Sequence, residues 1–177
     1  SLTLTDIFSG WTEVRATWNR GQHGVCAAFA GIEAELPFAL LGVDTDNGGE
    51  FLNHHLHRHF RGRERPVEMT RSRPYHKNDQ AHVEQKNWTH VRKRMGYVRY
   101  DSGAALAAMN AVYADLRLLQ NLFLPSVKLQ QKERRGARLR RTYDAPQTPL
   151  DRVRVCPHAD RDKVAALVRQ RAALDPF

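Results

Sequence analysis

The sequence predicts a mixed α/β layer in which helices cover a sheet. Three observations carry that expectation. Leu2 to Phe8 alternates apolar and polar residues, the period of a strand. Phe38 to Val43 is a short, wholly apolar run of the kind that suits a buried strand. Gln22 to Glu35 and Ala104 to Leu122 place apolar residues at helical spacing.

The first strand runs into Ser9-Gly10, a turn signal. Trp11 to Trp18 is again extended in character, with Val14 and Trp18 as its apolar members, so the two segments read as an antiparallel hairpin. Val25, Phe29, Ile32 and Leu36 mark the following helix, and Pro37 ends it. After the Phe38–Val43 strand, Gly48-Gly49 leads into a helix over Glu50 to Phe60, and Pro66 to Met69 reads as a short strand. Arg71 to Lys77 is a polar, basic loop containing Pro74. Asn78 to Met95 is a long helical stretch without Gly or Pro. In the next helix Leu106, Met109, Val112, Leu116 and Leu119 recur at helical intervals. Pro125 to Tyr143 reads as a basic, extended tail, Ala145 to Pro149 as a rigid turn, and Asp162 to Leu174 as a short terminal helix. There are no internal repeats.

The 177 residues suffice for one domain, or one domain with a small appendage. Lys and Arg number 28 against 19 Asp and Glu, a formal net charge of +9, which points to a polyanionic partner and first to nucleic acid. Cys26 and Cys156 are far apart and form no CxxC pair, so a disulfide framework or four-cysteine zinc site is unsupported and a reducing cytosol fits. No apolar run approaches the ~20 residues that span a bilayer. No signal peptide is visible, and the expected location is the bacterial cytosol, in association with the nucleoid.

Two carboxylates stand out. Asp46 directly follows the Phe38–Val43 strand segment in Val43-Asp44-Thr45-Asp46-Asn47-Gly48-Gly49. Glu84 lies near the start of a helix, with 37 residues between the two. Hard oxygen donors of this kind suit Mg²⁺, which takes one or two carboxylates and keeps several waters. The plain readings are that Asp46 only forms a turn, since Asp-Asn-Gly is a strong turn sequence, and that Glu84 is a surface helix residue.

Here the sequence resembles a known family. Thr45-Asp46-Asn47-Gly48 with Phe51 is similar to the second-Asp motif of retroviral integrases and insertion-sequence transposases. Asp79-Gln80-Ala81 followed by Glu84 resembles the motif around the family's catalytic Glu, at the family's interval. Leu4-Thr5-Asp6 with Ser9-Gly10-Trp11 resembles its second strand and the turn into the third. Asn121, Phe123 and Pro125, then Thr148-Pro149, resemble its downstream signature. The resemblance covers roughly residues 2 to 153.

The resemblance implies an RNase H-like fold: a mixed sheet flanked by helices. It also implies metal-dependent cleavage at element ends and transfer of a 3′-hydroxyl into target DNA. Asp46 and Glu84 would then be catalytic metal ligands for Mg²⁺ or Mn²⁺ in a two-metal site that clamps the attacking and leaving oxygens. Residues 1–100 correspond to the catalytic core, 101–125 to its C-terminal helix, and 126–177 to a basic tail with a short terminal helix. The family's first Asp lies on a central strand that precedes Leu2–Phe8. That strand is expected to be missing, and Asp6, at the lead into the turn, is not assigned in its place. The chain alone is therefore expected to be inactive or nearly so, with two apolar strands left short of backbone partners.

Arg71, Arg73, His76 and Lys77 before the Glu84 helix, and Arg92 and Lys93 along it, are the expected phosphate contacts. Their plain reading is a solvated charged face, and Trp88 has a core reading. Lys128 to Arg141 reads as a charge track along DNA or as a solvated linker. His54, His55, His57 and His59 invite a zinc reading, but no Cys or paired carboxylate completes a set. The expected partners are DNA, as element ends and target, and further copies of the chain, with no membrane. The rival readings are a non-catalytic DNA-binding or assembly remnant of a transposase and, less favoured, a ribonuclease of the same fold.

Overall fold

Two short sheets each border one cavity with a strand, and residues of several helices complete its lining. In this computed structural model, residues 1–18, 21–45, 54–73 and 81–176 are described, with backbone alone at 22, 54, 55, 57 and 82. β1 (Leu2–Thr5) pairs antiparallel with β2 (Thr12–Arg15), with Leu2 opposite Arg15 and Thr5 opposite Thr12. β3 (Gly42–Thr45) pairs in parallel with β4 (Glu68–Arg71), with Gly42 beside Glu68 and Thr45 beside Arg71. β5 (Leu129–Arg135) and β6 (Arg138–Tyr143) form a third, antiparallel pair. The helices are α1 (Gln22–Glu35), α2 (His54–Arg61), α3 (Ala81–Lys86), α4 (Lys93–Met95), α5 (Gly103–Leu118), α6 (Pro149–Arg154) and α7 (Arg161–Ala173). Wide π-type turns over Asn87–Arg92 and Leu119–Phe123 extend α3 into α4 and prolong α5. The chain is thus a mixed α/β protein. Among the described residues no helix is long and apolar enough to cross a membrane.

One core joins the first sheet to α1, α2, α6 and α7. Leu2 and Trp11 from the first sheet, Phe29, Ile32 and Leu36 from α1, Leu56 and Phe60 from α2, and Leu150, Val153 and Leu167 from α6 and α7 belong to one buried cluster. Phe29 and Phe60 meet edge to face with ring centroids 4.8 Å apart. The terminal helices are anchored by polar contacts as well. Thr148 caps α6 in a capping box with Asp151, with Pro149 at the first turn. Lys163 Nζ donates to the carbonyls of Ala34 and Leu36 at 2.6 and 3.1 Å, placing a cation at the C-terminal end of α1.

Several expectations need correction. The apolar run Phe38–Val43 is not a buried strand. Ala39 N–H donates to His158 C=O at 3.0 Å and Phe38 bridges Ala159, so this part pairs with the C-terminal segment. β3 starts only at Gly42, and Leu41 is 57% exposed. β4 lies two residues later than expected. Trp18 is exposed beyond the end of β2, while Trp11 is the buried tryptophan of that region. Residues Leu129 to Tyr143 are not an extended tail but a hairpin, turned by Gly136 at φ +61°. Thr148-Pro149 is not a free rigid turn but the start of α6.

The two edges of the first sheet are treated differently. Asp6 N–H donates to Trp11 C=O at 2.8 Å, so by alternation Leu4 and Leu2 bond β2, while the backbone of Thr3 and Thr5 points away from it. On β2 the outward groups are met by side chains. Asn121 accepts from Thr12 N–H and donates to Thr12 C=O, both at 2.9 Å. Asn110 does the same for Ala16 at 2.9 and 3.3 Å. On the β1 side the edge borders a cavity of about 800 Å³. Consecutive residues of β1 and of β3 line it irrespective of pleat parity, so both strands meet it edge-on.

Candidate functional site

The strand that leads to Asp46 and the helix that carries Glu84 converge on this cavity. β3 is fixed at its end by the parallel register: Ser72 N–H donates to Thr45 C=O at 3.0 Å, and the Ser72 hydroxyl reaches the same oxygen at 3.3 Å. Thr45 is buried. Asp44, just before it, accepts from the Thr70 hydroxyl at 2.7 Å, a cross-strand bond that holds the strand end. Asp46 is the next residue but one. It lies outside the described residues, as do His76 and Lys77.

α3 packs over β1. The Thr3 hydroxyl donates to Asn87 Oδ1 at 3.0 Å, and Val83, Asn87 and Val91, spaced four apart, line the cavity together with Asp44 and Thr45. Glu84 follows Val83 and is exposed, and no described residue engages its carboxylate. Burial pulls the Lys86 ammonium below its ordinary range. His90, farther along, is lowered first by burial and then by the charge of Lys86.

The expected phosphate contacts divide between the end of β4 and the helical stretch that follows α3. Arg71 closes β4 beside Thr45, and Arg73 follows; both are exposed. Arg92 borders the cavity, with its guanidinium 5.0 Å from the Tyr97 ring centre, and Lys93 is exposed one residue on. Trp88 is 51% exposed on the same stretch, so its core reading is corrected. His59, from the zinc reading, is taken up by Arg63 Nη2 at 2.5 Å and Glu33 at 3.4 Å. Among the described residues no three His, Cys, Asp or Glu side chains gather as a metal site. Asp6 is a turn former: its carboxylate accepts from the Ser9 N–H at 2.6 Å and the Ser9 hydroxyl at 2.5 Å.

Sequence reasoning missed what Asn121 does. It is fully buried and serves as an edge clip for β2. A polar residue at a helical core position was the available signal. It also missed the mount of the basic hairpin. Buried Arg152 pairs with Asp144 and donates to Ser126 C=O at 2.8 Å, and Asp144 accepts from Lys128 N–H at 2.5 Å. The Arg152 guanidinium holds the Asp144 carboxyl below its usual range.

No family model matches the chain. It is similar to an uncharacterized protein, y4rM, of Sinorhizobium fredii (strain NBRC 101917 / NGR234), with 43% identity over 152 residues. The match takes in 86% of this chain and 43% of that protein, so the chain spans less than half the length of the curated relative it matches.

Proposed function

We propose that this chain is part of the catalytic core of a DNA transposase or integrase of the Asp-Asp-Glu type, acting on element ends and target DNA as a multimer in the bacterial cytosol. One observation carries the reading. Thr45, the neighbour of Asp46, and Val83, the neighbour of Glu84, line the same cavity although far apart in sequence. The sheet order supports the RNase H-like form of this proposal. An extended strand lying between β1 and β3 would join them into one mixed sheet in the order β2, β1, added strand, β3, β4.

The chemistry of the donors fits a hard divalent ion. Glu84 is exposed and unengaged by any described residue, and Asp46 follows a strand end held by three hydrogen bonds. These two carboxylates would hold Mg²⁺ or Mn²⁺. Bound there, such ions would stabilise the attacking and leaving oxygens of a phosphodiester. Arg71, Arg73, Arg92 and Lys93 would grip the DNA backbone and fix its register. A second reading, a DNA-binding remnant without chemistry, is favoured by the basic hairpin, whose mount involves neither carboxylate.

Calorimetric titration of Mn²⁺ into the full chain, Asp46→Asn and Glu84→Gln separates the two. The wild type takes up the ion, and each substitution weakens uptake by about tenfold or more, roughly 1.4 kcal/mol. Equal uptake by all three sinks the catalytic reading and leaves the remnant.

A further inference from the structure

The β5–β6 hairpin packs on little of the protein. Apart from Glu133, which is half-buried, every residue of both strands is exposed. Its apolar side chains, Leu129, Leu139 and Tyr143, stay exposed instead of packing on the core, and a two-stranded ribbon of this kind is marginal by itself. Its charges make matters worse. Six basic side chains stand against one acid, Glu133, between residues 129 and 143. The register sets Lys132 opposite Arg141 and Arg135 opposite Arg138, and like charges directly opposed are destabilising. The Glu133–Arg135 pair at 3.1 Å joins two side chains that are both open to solvent, and it offsets little.

The base of the same ribbon is tied down by hydrogen bonds and an ion pair. Asp144 bonds the Lys128 backbone on both sides, accepting at its carboxylate and donating from its N–H at 3.0 Å. Buried Arg152 ties Asp144 to α6 and to Ser126. The chain therefore spends a buried ion pair on holding out a self-repelling ribbon. A polyanion would relieve that arrangement by neutralising the opposed cations.

We propose that the β5–β6 ribbon is a docking blade for B-form duplex DNA, seated in the major groove. Strand pairing puts Lys132, Arg134 and Arg141 on one face and Arg135, Arg138 and Arg140 on the other. A blade charged on both faces fits a groove with phosphates on both walls. Two strands span about 5 Å, and a major groove about 12 Å wide admits such a ribbon with its side chains. Duplex RNA does not offer this seat, because its major groove is deep and narrow. A membrane surface would ask for one face free of charge, and here basic side chains stand on both faces. The inference shares the DNA substrate with the proposed function and is independent of the metal centre.

The test is fluorescence anisotropy of the full chain with a labelled DNA duplex over a range of salt, without divalent ions. Lys132→Gln with Arg141→Gln, and separately Arg135→Gln with Arg138→Gln, should each flatten the slope of log affinity against log salt. The loss is about 0.9 for every phosphate contact removed. Thermal melts of both variants should be no lower than wild type, since each removes a like-charge pair, and the two pairs report independently if one variant folds poorly. An RNA duplex of the same sequence should bind more weakly and respond less to either variant. An unchanged slope in both variants overturns the proposal, and so does an equal response with RNA. If the ribbon variants respond as stated while Mn²⁺ uptake fails, the catalytic reading falls and the blade stands.

Discussion

Asn121 completes the outer edge of β2 at Thr12, where its carboxamide replaces a neighbouring strand by accepting the N–H and donating to the C=O, each at 2.9 Å. Both residues are almost fully buried, so water cannot take over. Asn121→Ala strands a buried donor and a buried acceptor and should cost about 2–4 kcal/mol. Asn110→Ala removes the matching clip at Ala16, which is only half-buried, and should cost about 1 kcal/mol. Urea denaturation of the two variants checks the ordering. A larger loss for Asn110→Ala would contradict the assignment.

Glu13 is a buried carboxylate that depends on Arg117. Arg117 Nε donates to its two oxygens at 2.7 and 2.9 Å, and Trp11 Nε1 donates at 2.7 Å. Burial pushes the Glu13 carboxyl above its ordinary value, and Arg117 pulls it back only in part. Arg117→Met leaves the charge in the core and should cost about 3–5 kcal/mol at about pH 8. The variant raises the folded pKa further above the unfolded one. That penalty is full when the carboxyl is ionised in both states and is relieved as falling pH protonates it. The deficit should therefore shrink at about pH 5. A deficit that grows on acidification would mean that Glu13 is not the group left stranded.

Asp144 runs the other way. Its carboxyl is held below the ordinary range, first by the Arg152 hydrogen bond and then by the Lys128 N–H. Its contribution is present above the unfolded value and is lost as pH falls through the folded one. Asp144→Asn should lower the melting temperature at neutral pH and speed amide exchange in β5 and β6, and the gap in melting temperature to wild type should close in acid. Melting curves across the acid range test this. A gap independent of pH would mean the ion pair does not hold the ribbon.

How much of this was legible depended on where the signal was local. α1 could be read because helical spacing and Pro37 both act within the segment. The hairpin of Leu2 and Trp11 could be read for the same reason. Phe38 and Ala39 could not, because what they pair with is Ala159 and His158, far along the chain. The basic ribbon was hidden by its own composition. Run after run of Arg reads as solvated chain, and only Gly136 marks the turn. Of the candidate site, the Glu84 helix was read in place, while Asp46, His76 and Lys77 fall outside the described residues.

The edges facing the cavity give the last prediction. Leu4 bonds β2 while Thr3 and Thr5 turn their N–H groups toward the cavity, and Glu68 N–H bonding Leu41 C=O sets the same alternation in β3, with Val43 toward β4 and Gly42 toward the cavity. Amide exchange of the full chain should therefore alternate. Thr3, Thr5 and Gly42 should exchange faster than Leu4 and Val43, since a hydrogen-bonded amide must open before it exchanges. Thr12 should stay protected in wild type and lose protection in Asn121→Ala. Slow exchange at Thr3, Thr5 and Gly42 that fades on dilution would mean that a second copy lends a strand to the cavity. Slow exchange at every concentration would mean that the two edges do not border an open cavity in solution, and the sheet arrangement behind the RNase H-like reading would have to be redrawn.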